Sequence, residues 1–483
     1  MFIAIVTAAT SGCTLFLASS VEPCDLDGDC ADGERCLGGF CGEAGAPEGG
    51  EGEGEGNGEG EGEGEGEEGE GAGEGEGEGE GEGEGEGEGE GEGEPRPPGC
   101  GEDLTADWAD PAFPFRVPIS FCDAAAPDAT ITDLPVLVRL RGTDIDFDRV
   151  RLDGRDLAFF DQRGATPVRL AHERQLFRNG AGTDDEALLW VKVPSFNPRT
   201  ERDHVWLYFG SDSPIETSSG TQTFAVYQAA WHFDDPNNAI TLPELRTGQP
   251  GRVLPVANVF NDGLRTDAAF LNRGLDLTGS NFAVLDDTTD VNAIGGANPF
   301  GITTTAGTIS VVLGPRAGGG SGNTLSVGQV VFFADGGLPR STGFDQRSLH
   351  LTVSSTLDNG NGTANSVGFS IPTNPPRPAE RAFVVAAANV IDANAFQLVT
   401  ATWDETSVEL YVNGILRAEQ AVTTVPLTVR FIDIGTSQEL ANVLRGRVDE
   451  LRISTVRRDA AFVRAEAKSM LGELAVIGPV EAR

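Results

Sequence analysis

Beyond Cys122 the chain runs 361 residues without another cysteine, and its 483 residues include two methionines, three tyrosines and four histidines. Any disulfide framework is therefore confined to the opening quarter of the chain. Positive charge is just as thin. Lys and Arg number 34 against 76 Asp and Glu, a formal net charge of −42, with no basic cluster to displace counterions from phosphates. Nucleic acid and anionic membrane surfaces are excluded as partners on that ground. The histidines His172, His204, His232 and His350 are scattered, so no helix face offers a zinc pair, and each is expected to be a surface or strand residue. Gly319-Gly320-Ser321-Gly322-Asn323 fails as a nucleophile elbow, because Asn323 stands where the last glycine belongs. No catalytic residue is assigned, and the chain reads as a non-enzyme.

What the sequence has in excess is glycine and glutamate. Glu51 to Glu94 alternates the two almost without interruption, with 21 glutamates and nothing apolar larger than Ala72. Glycine has the most backbone entropy to lose and the carboxylates repel one another. Residues 49–99 therefore read as a disordered, solvated linker whose exit is stiffened by Pro95, Pro97 and Pro98. A Gly-rich coil of that length spans roughly 35–40 Å, more under self-repulsion. It separates an anchoring N-terminus from a folded load.

Met1 to Ser20 is apolar, uncharged and too short to cross a bilayer as a helix, which suits an export signal. Two processing sites compete. Thr10-Ser11-Gly12-Cys13 resembles a bacterial lipobox, with Cys13 as the lipidated residue, and Ala18-Ser19-Ser20 suits ordinary signal cleavage. Either leaves Cys24, Cys30, Cys36, Cys41, Cys100 and Cys122, an even set suited to disulfides outside the cytoplasm. Residues 21–48 hold four of these cysteines and read as a disulfide module; a bridge between Cys100 and Cys122 would pin the segment that follows the linker. Asp25, Asp27 and Asp29 alternate as in calcium loops, but the bidentate Glu of such loops is missing.

From 100 to 216 the runs Val117 and Ile119, Val136 to Val138, Leu157 to Phe160, Ala187 to Val193 and Val205 to Phe209 are separated by Asp, Gly, Pro and Asn turns. That rhythm is a β-sandwich. Val205 to Phe209 is apolar on both faces, which places it between two layers. Phe115 to Ile119, Leu152 to Leu157, His172-Glu173, Leu189 to Pro194 and Trp206 to Gly210 together resemble an uncharacterised β domain that precedes jelly rolls in bacterial envelope proteins.

From 217 to 483 three segments stand in order: FAVYQAAWHFD at Phe224 to Asp234, WDETSVELYVNGI at Trp403 to Ile415, and RVDELRISTV at Arg447 to Val456 with Arg458 to Met470 behind it. They resemble the first strand, a hairpin, and the closing strand with short helix of LamG-like, concanavalin A-like jelly rolls. Asn413-Gly414 is itself a strong hairpin signal, since both positions accept φ > 0. Gly318 to Gly322 and Asn359 to Pro378 look like long loops. The fold class is all-β throughout the load.

The resemblance implies a binding module, often with calcium near its joined ends. Strict alternation puts Asp449 on the face of Leu451 and Ile453, where an inward carboxylate needs a partner or a metal. Asp449 with Asp234 or Asp235 is the oxygen set the resemblance implies for a structural calcium. Trp231 and Trp403 are expected in the core; Tyr411, out of phase with Leu410 and Val412, is the candidate to face a ligand. Glycosidases of this fold place carboxylates as E-x-D-x-E, a spacing that Asp449-Glu450-Leu451-Arg452-Ile453 lacks. The sequence thus describes an extracytoplasmic protein, lipid-anchored or secreted, that displays a LamG-like module for adhesion to a glycan or a surface protein. Two alternatives stand beside it, a purely structural envelope component and a polysaccharide hydrolase with a non-standard site.

Overall fold

The computed structural model describes residues 34–37, 40–43, 104, 106–180, 185–200, 203–213, 218–234, 241–242, 251–255, 265–266, 270–278, 281–284, 302–314, 329–335, 348–353, 366–374, 384–392, 394–426, 431–435 and 444–483. Two compact units result, Met1–Glu88 and Gly89–Arg483. In the first, β1 (Glu34–Leu37) and β2 (Phe40–Glu43) pair antiparallel, with Cys36 opposite Cys41. Cys13, Cys24, Cys30 and Cys100, like Asp235, lie outside the described residues. Cys122 is buried and disulfide-bonded.

The second unit begins with β3 (Phe115–Phe121), β4 (Ile131–Arg141), β5 (Ala158–Asp161), β6 (Val168–Arg169), β7 (His172–Arg178), β8 (Glu186–Phe196) and β9 (His204–Phe209). A three-stranded sheet has the order β4-β8-β7, and the other sheet runs β3-β9-β5-β6. The two-sided apolar character of β9 is used as expected. Val205, Leu207 and Phe209 enter the main core, while Trp206 and Tyr208 join Phe113 and Phe160 on the outer face. Arg116 closes that outer face, its guanidinium 4.5 Å from the Trp108 ring centre and 3.9 Å from that of Trp206.

After a short helix α1 (Gly220–Thr223), two sheets make the jelly roll. The strands are β10 (Ala229–Trp231), β11 (Thr241–Leu242), β12 (Gly251–Pro255), β13 (Arg265–Thr266), β14 (Gly274–Thr278), β15 (Asn281–Val284), β16 (Gly307–Gly314), β17 (Gln329–Asp335), β18 (Ser348–Val353), β19 (Val367–Ser370), β20 (Val385–Ala387), β21 (Gln397–Trp403), β22 (Ser407–Val412), β23 (Ile415–Ala421), β24 (Phe431–Ile434) and β25 (Arg445–Ser454). One sheet has the order β13-β14-β25-β16-β21-β22-β23, with β10 also on β25; the other has the order β11-β12-β15-β24-β17-β18-β19-β20. Between them pack Trp231, Ile309, Leu351, Phe369, Trp403 and Leu410, so both tryptophans are core as expected. Strand β19 falls inside the stretch 359–378 that the sequence suggested was loop. It is short and carries Gly368, which hides the alternation that sends Val367 and Phe369 inward.

In the β16 sheet, β16 and β21 are buried at every position. Their second covered face meets the first sandwich. Val312 and Leu398 share one continuous core with Leu137, Trp190 and helix α2 (Ala460–Met470). The helix begins where the Asp459 side chain accepts from the Phe462 N–H at 2.8 Å. The chain then returns to the first sandwich, where β26 (Ala475–Ile477) and β27 (Glu481–Ala482) pair with β3.

The hairpin between β22 and β23 turns on Asn413 at φ 51° and Gly414 at φ 73°. A Cβ on Gly414 would stand 2.9 Å from both the Ala467 Cβ and the Arg464 Cα, so the turn seats α2 directly on the sheet. Gly414→Ala is expected to destabilise the protein by about 1–3 kcal/mol, since it combines a left-handed alanine with a clash. A denaturant midpoint unchanged from wild type would show that the turn does not seat the helix.

Candidate functional site

Among the described residues a buried group of ionisable side chains lies where the first sandwich meets the β16 sheet, and a bulge in β25 creates it. Ser310 pairs with Arg452 and Val312 with Asp449, so Val311 stands opposite both Glu450 and Leu451. Glu450 takes φ 49° to make room. The extra residue resets the alternation. Val448, Leu451 and Ile453 all reach the jelly-roll core, whereas Asp449 pairs with Val312 of the other core and turns away from it with Arg452. The expectation that Asp449 shares a face with Leu451 and Ile453 is corrected accordingly.

Asp449 is buried, and its carboxylate accepts the Leu271 N–H at 2.9 Å and the Glu450 N–H at 2.8 Å. The Glu450 carboxylate meets His232 Nδ1 at 2.6 Å and accepts from Arg452 at 3.1 Å. From the first sandwich, Glu173 on β7 faces the other nitrogen of His232 at 3.5 Å. Gln175 Nε2 donates to Asp234 at 2.8 Å and to Glu450 at 3.1 Å, while its carbonyl oxygen accepts from Trp190 Nε1 at 2.7 Å. Trp190 stacks on the His232 ring at an interplanar angle of 15°, and Arg452 lies 4.4 Å from the Trp190 ring centre. On the far side of Arg452, Tyr227 donates to Glu466 at 2.5 Å, and Ser310 donates to the other oxygen of Glu466 at 2.7 Å.

Protonation follows from crowding. Burial alone would lower the His232 imidazole, but Glu450 and Glu173 more than reverse that and hold it well above the ordinary histidine range. Burial would raise Glu450, yet His232 and Arg452 outweigh it and keep it low. Burial pushes Asp449 well up, and the Glu450 and Asp234 charges push the same way. Burial also carries Asp234 up to about 6. Two cations, His232 and Arg452, thus lie among five carboxyls, Glu173, Asp234, Asp449, Glu450 and Glu466, and burial favours the protonated form of Asp449 and, below about pH 6, of Asp234. As chemistry the arrangement is a clamp of interleaved cations and carboxyls.

The sequence brought Asp234 and Asp449 to this place but missed Glu173, Gln175, Tyr227, His232, Glu450, Arg452 and Glu466. Three of the histidines, His172, His232 and His350, are buried. Among the described residues no three His, Cys, Asp or Glu are arranged to hold a metal. Tyr411 does take the phase opposite Leu410 and Val412, but its ring is 2% exposed and its hydroxyl donates to Glu409 at 2.7 Å. The reading of Tyr411 as a ligand-facing ring is corrected to a buried one.

These features define a two-module all-β arrangement, a first sandwich joined to a concanavalin A-like one. The family model Laminin_G_3, described as the concanavalin A-like lectin/glucanases superfamily, matches residues 286–464, and DUF2341, a domain of unknown function, matches residues 153–240. Residues 286–464 form a LamG-type domain. No curated protein matches the chain. Among solved structures, domain 4 of AbnA, a GH43 extracellular arabinanase from Geobacillus stearothermophilus, in complex with arabinotriose, covers 50% of this chain and 98% of its own at 15% identity, with a TM-score of 0.31. The ligand-binding domain of botulinum neurotoxin serotype D in complex with N-acetylneuraminic acid covers 52% of each chain at 13% identity, TM-score 0.31. The CBM40 of Ruminococcus gnavus IT-sialidase bound to α2,3-sialyllactose covers 33% and 82% at 16% identity, TM-score 0.25.

Two measurements probe the clamp. Arg452→Met keeps the length of the stem but strands Glu450 and Glu466 as buried charges, and it should cost about 3–5 kcal/mol by chemical denaturation; a loss under 1 kcal/mol would contradict the clamp. Asp234 binds its proton more tightly folded than unfolded, so stability should fall as pH rises from about 4 to about 6. Asp234→Asn should remove on the order of 2 kcal/mol of that slope. An identical pH profile for the variant would refute the assignment.

Proposed function

We propose that the protein is an exported cell-surface component whose LamG-type module binds a glycan, held away from its anchor by the linker at 49–99. The observation that supports this reading is the match of residues 286–464 to the concanavalin A-like lectin/glucanases superfamily model. One outer face of the jelly roll is covered by the first sandwich. On the other, β18 and β19 send Leu349, Leu351 and Phe369 inward and His350, Thr352 and Ser370 to the opposite face, and those three are buried too. A glycan would therefore be met at the loops and edges of the sandwich rather than on these strands.

Export and anchoring rest on Met1 to Ser20 and Cys13 alone. Among the described residues no helix is long and apolar enough to cross a membrane. A lipid on Cys13 would supply attachment, and calcium at Asp234, Asp235 and Asp449 remains part of the proposal as a structural ion.

A glycan array probed with the mature protein, with calcium and with chelator, tests the reading. The expected result is binding to a defined glycan class. No binding in either condition would remove the glycan. Mass spectrometry of the mature N-terminus should find a diacylglyceryl group on Cys13, and an unprocessed chain with free thiols would remove export.

A further inference from the structure

We infer that the module carrying the DUF2341 match is an obligate folding partner of the LamG-type sandwich, so that residues on both sides of the β9–α1 connection unfold as one cooperative unit. This goes beyond the glycan reading and does not depend on it.

Four independent observations converge. The outer face of the β16 sheet is unsuited to water, since Val312, Leu398, Leu271 and Ala230 run into the same core as Leu137 and Trp190. The charges on that face find partners in the first sandwich: Glu450 takes Gln175, His232 takes Glu173, and Arg452 lies on Trp190. Backbone and helix are tied across the same boundary, with the Leu137 N–H donating to Ser469 Oγ at 2.8 Å, the Cys122 N–H to the Leu474 carbonyl at 3.0 Å, and Arg464 donating to Asp123 at 2.6 and 3.0 Å. Finally, the chain crosses the boundary twice. It leaves through α1 into β10 and comes back as β26 and β27, which complete the sheet at β3.

The extent of the domain match agrees. It runs from 153 to 240 and does not stop at the connection, but continues through α1 and β10, a strand whose pairing partner is β25 of the jelly roll. The surface formed by Glu173, Gln175 and Trp190 therefore fits a β-sheet face whose closing strand carries a glutamate and an arginine two residues apart. In this chain that partner is supplied in cis.

Hydrogen exchange of the unmodified full chain, read by mass spectrometry, decides the matter. Amides of β4 and β8 and those of β16 and β25 are expected to open with the same protection and to lose it together as denaturant rises. If the β16 and β25 amides stay protected while β4 and β8 exchange fully, the modules are independent and the inference falls. A second arm inserts a protease site between Gly210 and Ser219, cuts the folded protein and passes it over a sizing column. Co-elution of the two fragments at the volume of the intact chain is expected, with separation only at denaturant concentrations that unfold the uncut protein. Fragments that part in native buffer would overturn the inference.

Discussion

Arg452 cannot be neutralised, so burying it dictates what must surround it. Its guanidinium keeps its charge at any ordinary pH and is 1% exposed. Glu450 on one side, with Tyr227 and Glu466 on the other, supply the acceptors, and Trp190 supplies the face it lies on. Glu450 in turn needs His232, and His232 reaches Glu173. A single chain of alternating charge therefore crosses from α2 through β25 and β10 into β7. Buried ion pairs contribute little net stability, because desolvation offsets most of the attraction, but breaking one leaves an uncompensated charge. The apolar core around Val312, Leu398 and Leu137 supplies the adhesion, and the charges tie Glu450, His232 and Arg452 to Gln175, Glu173 and Trp190 of the first sandwich.

The bulge at Glu450 is what makes that chain of charge compatible with a jelly roll. Without the extra residue, alternation from Val448 would send Glu450 and Arg452 into the core between the sheets and Leu451 and Ile453 out of it. One residue in the left-handed region reverses both assignments at once. The strain of a non-glycine φ of 49° is held by the Asp449 side chain, which accepts the Glu450 N–H. Asp449 thus acts on its neighbour's backbone as much as on the charge cluster, which gives its burial a local reason.

Elements with strong periodicity were legible in the sequence. Val205 to Phe209 announced two covered faces, Val408, Leu410 and Val412 announced one, and Asn413-Gly414 announced its own turn. What escaped was whatever depends on residues far apart. Strict alternation misplaced Asp449 because nothing local marks a bulge. Tyr411 looked outward because its hydroxyl partner Glu409 is held by Arg457, which comes far later in the chain. His232 and Glu173 lie in separate stretches, each bland alone. Two signals were present and unused. Thr308 to Leu313 has no face that is wholly polar, which implies a second layer over β16. Glutamate and arginine two apart in the otherwise apolar ELRI imply a shared polar face.

Neither outer face of the jelly roll meets water along its described central strands. On the β16 sheet the outward residues Ser310, Val312, Leu398 and Thr400 are buried, and Val312 and Leu398 join the core of the first sandwich, with Glu450 and Arg452 paired beside them. On the β18 sheet His350, Thr352 and Ser370 alternate outward from Leu349, Leu351 and Phe369 and are buried as well. The apolar area that makes the first contact permanent would make the same face aggregate if it stood open. That is why the β16 sheet and the first sandwich share one core, with Thr and Ser hydroxyls, aliphatic side chains and paired charges all enclosed in the same seam.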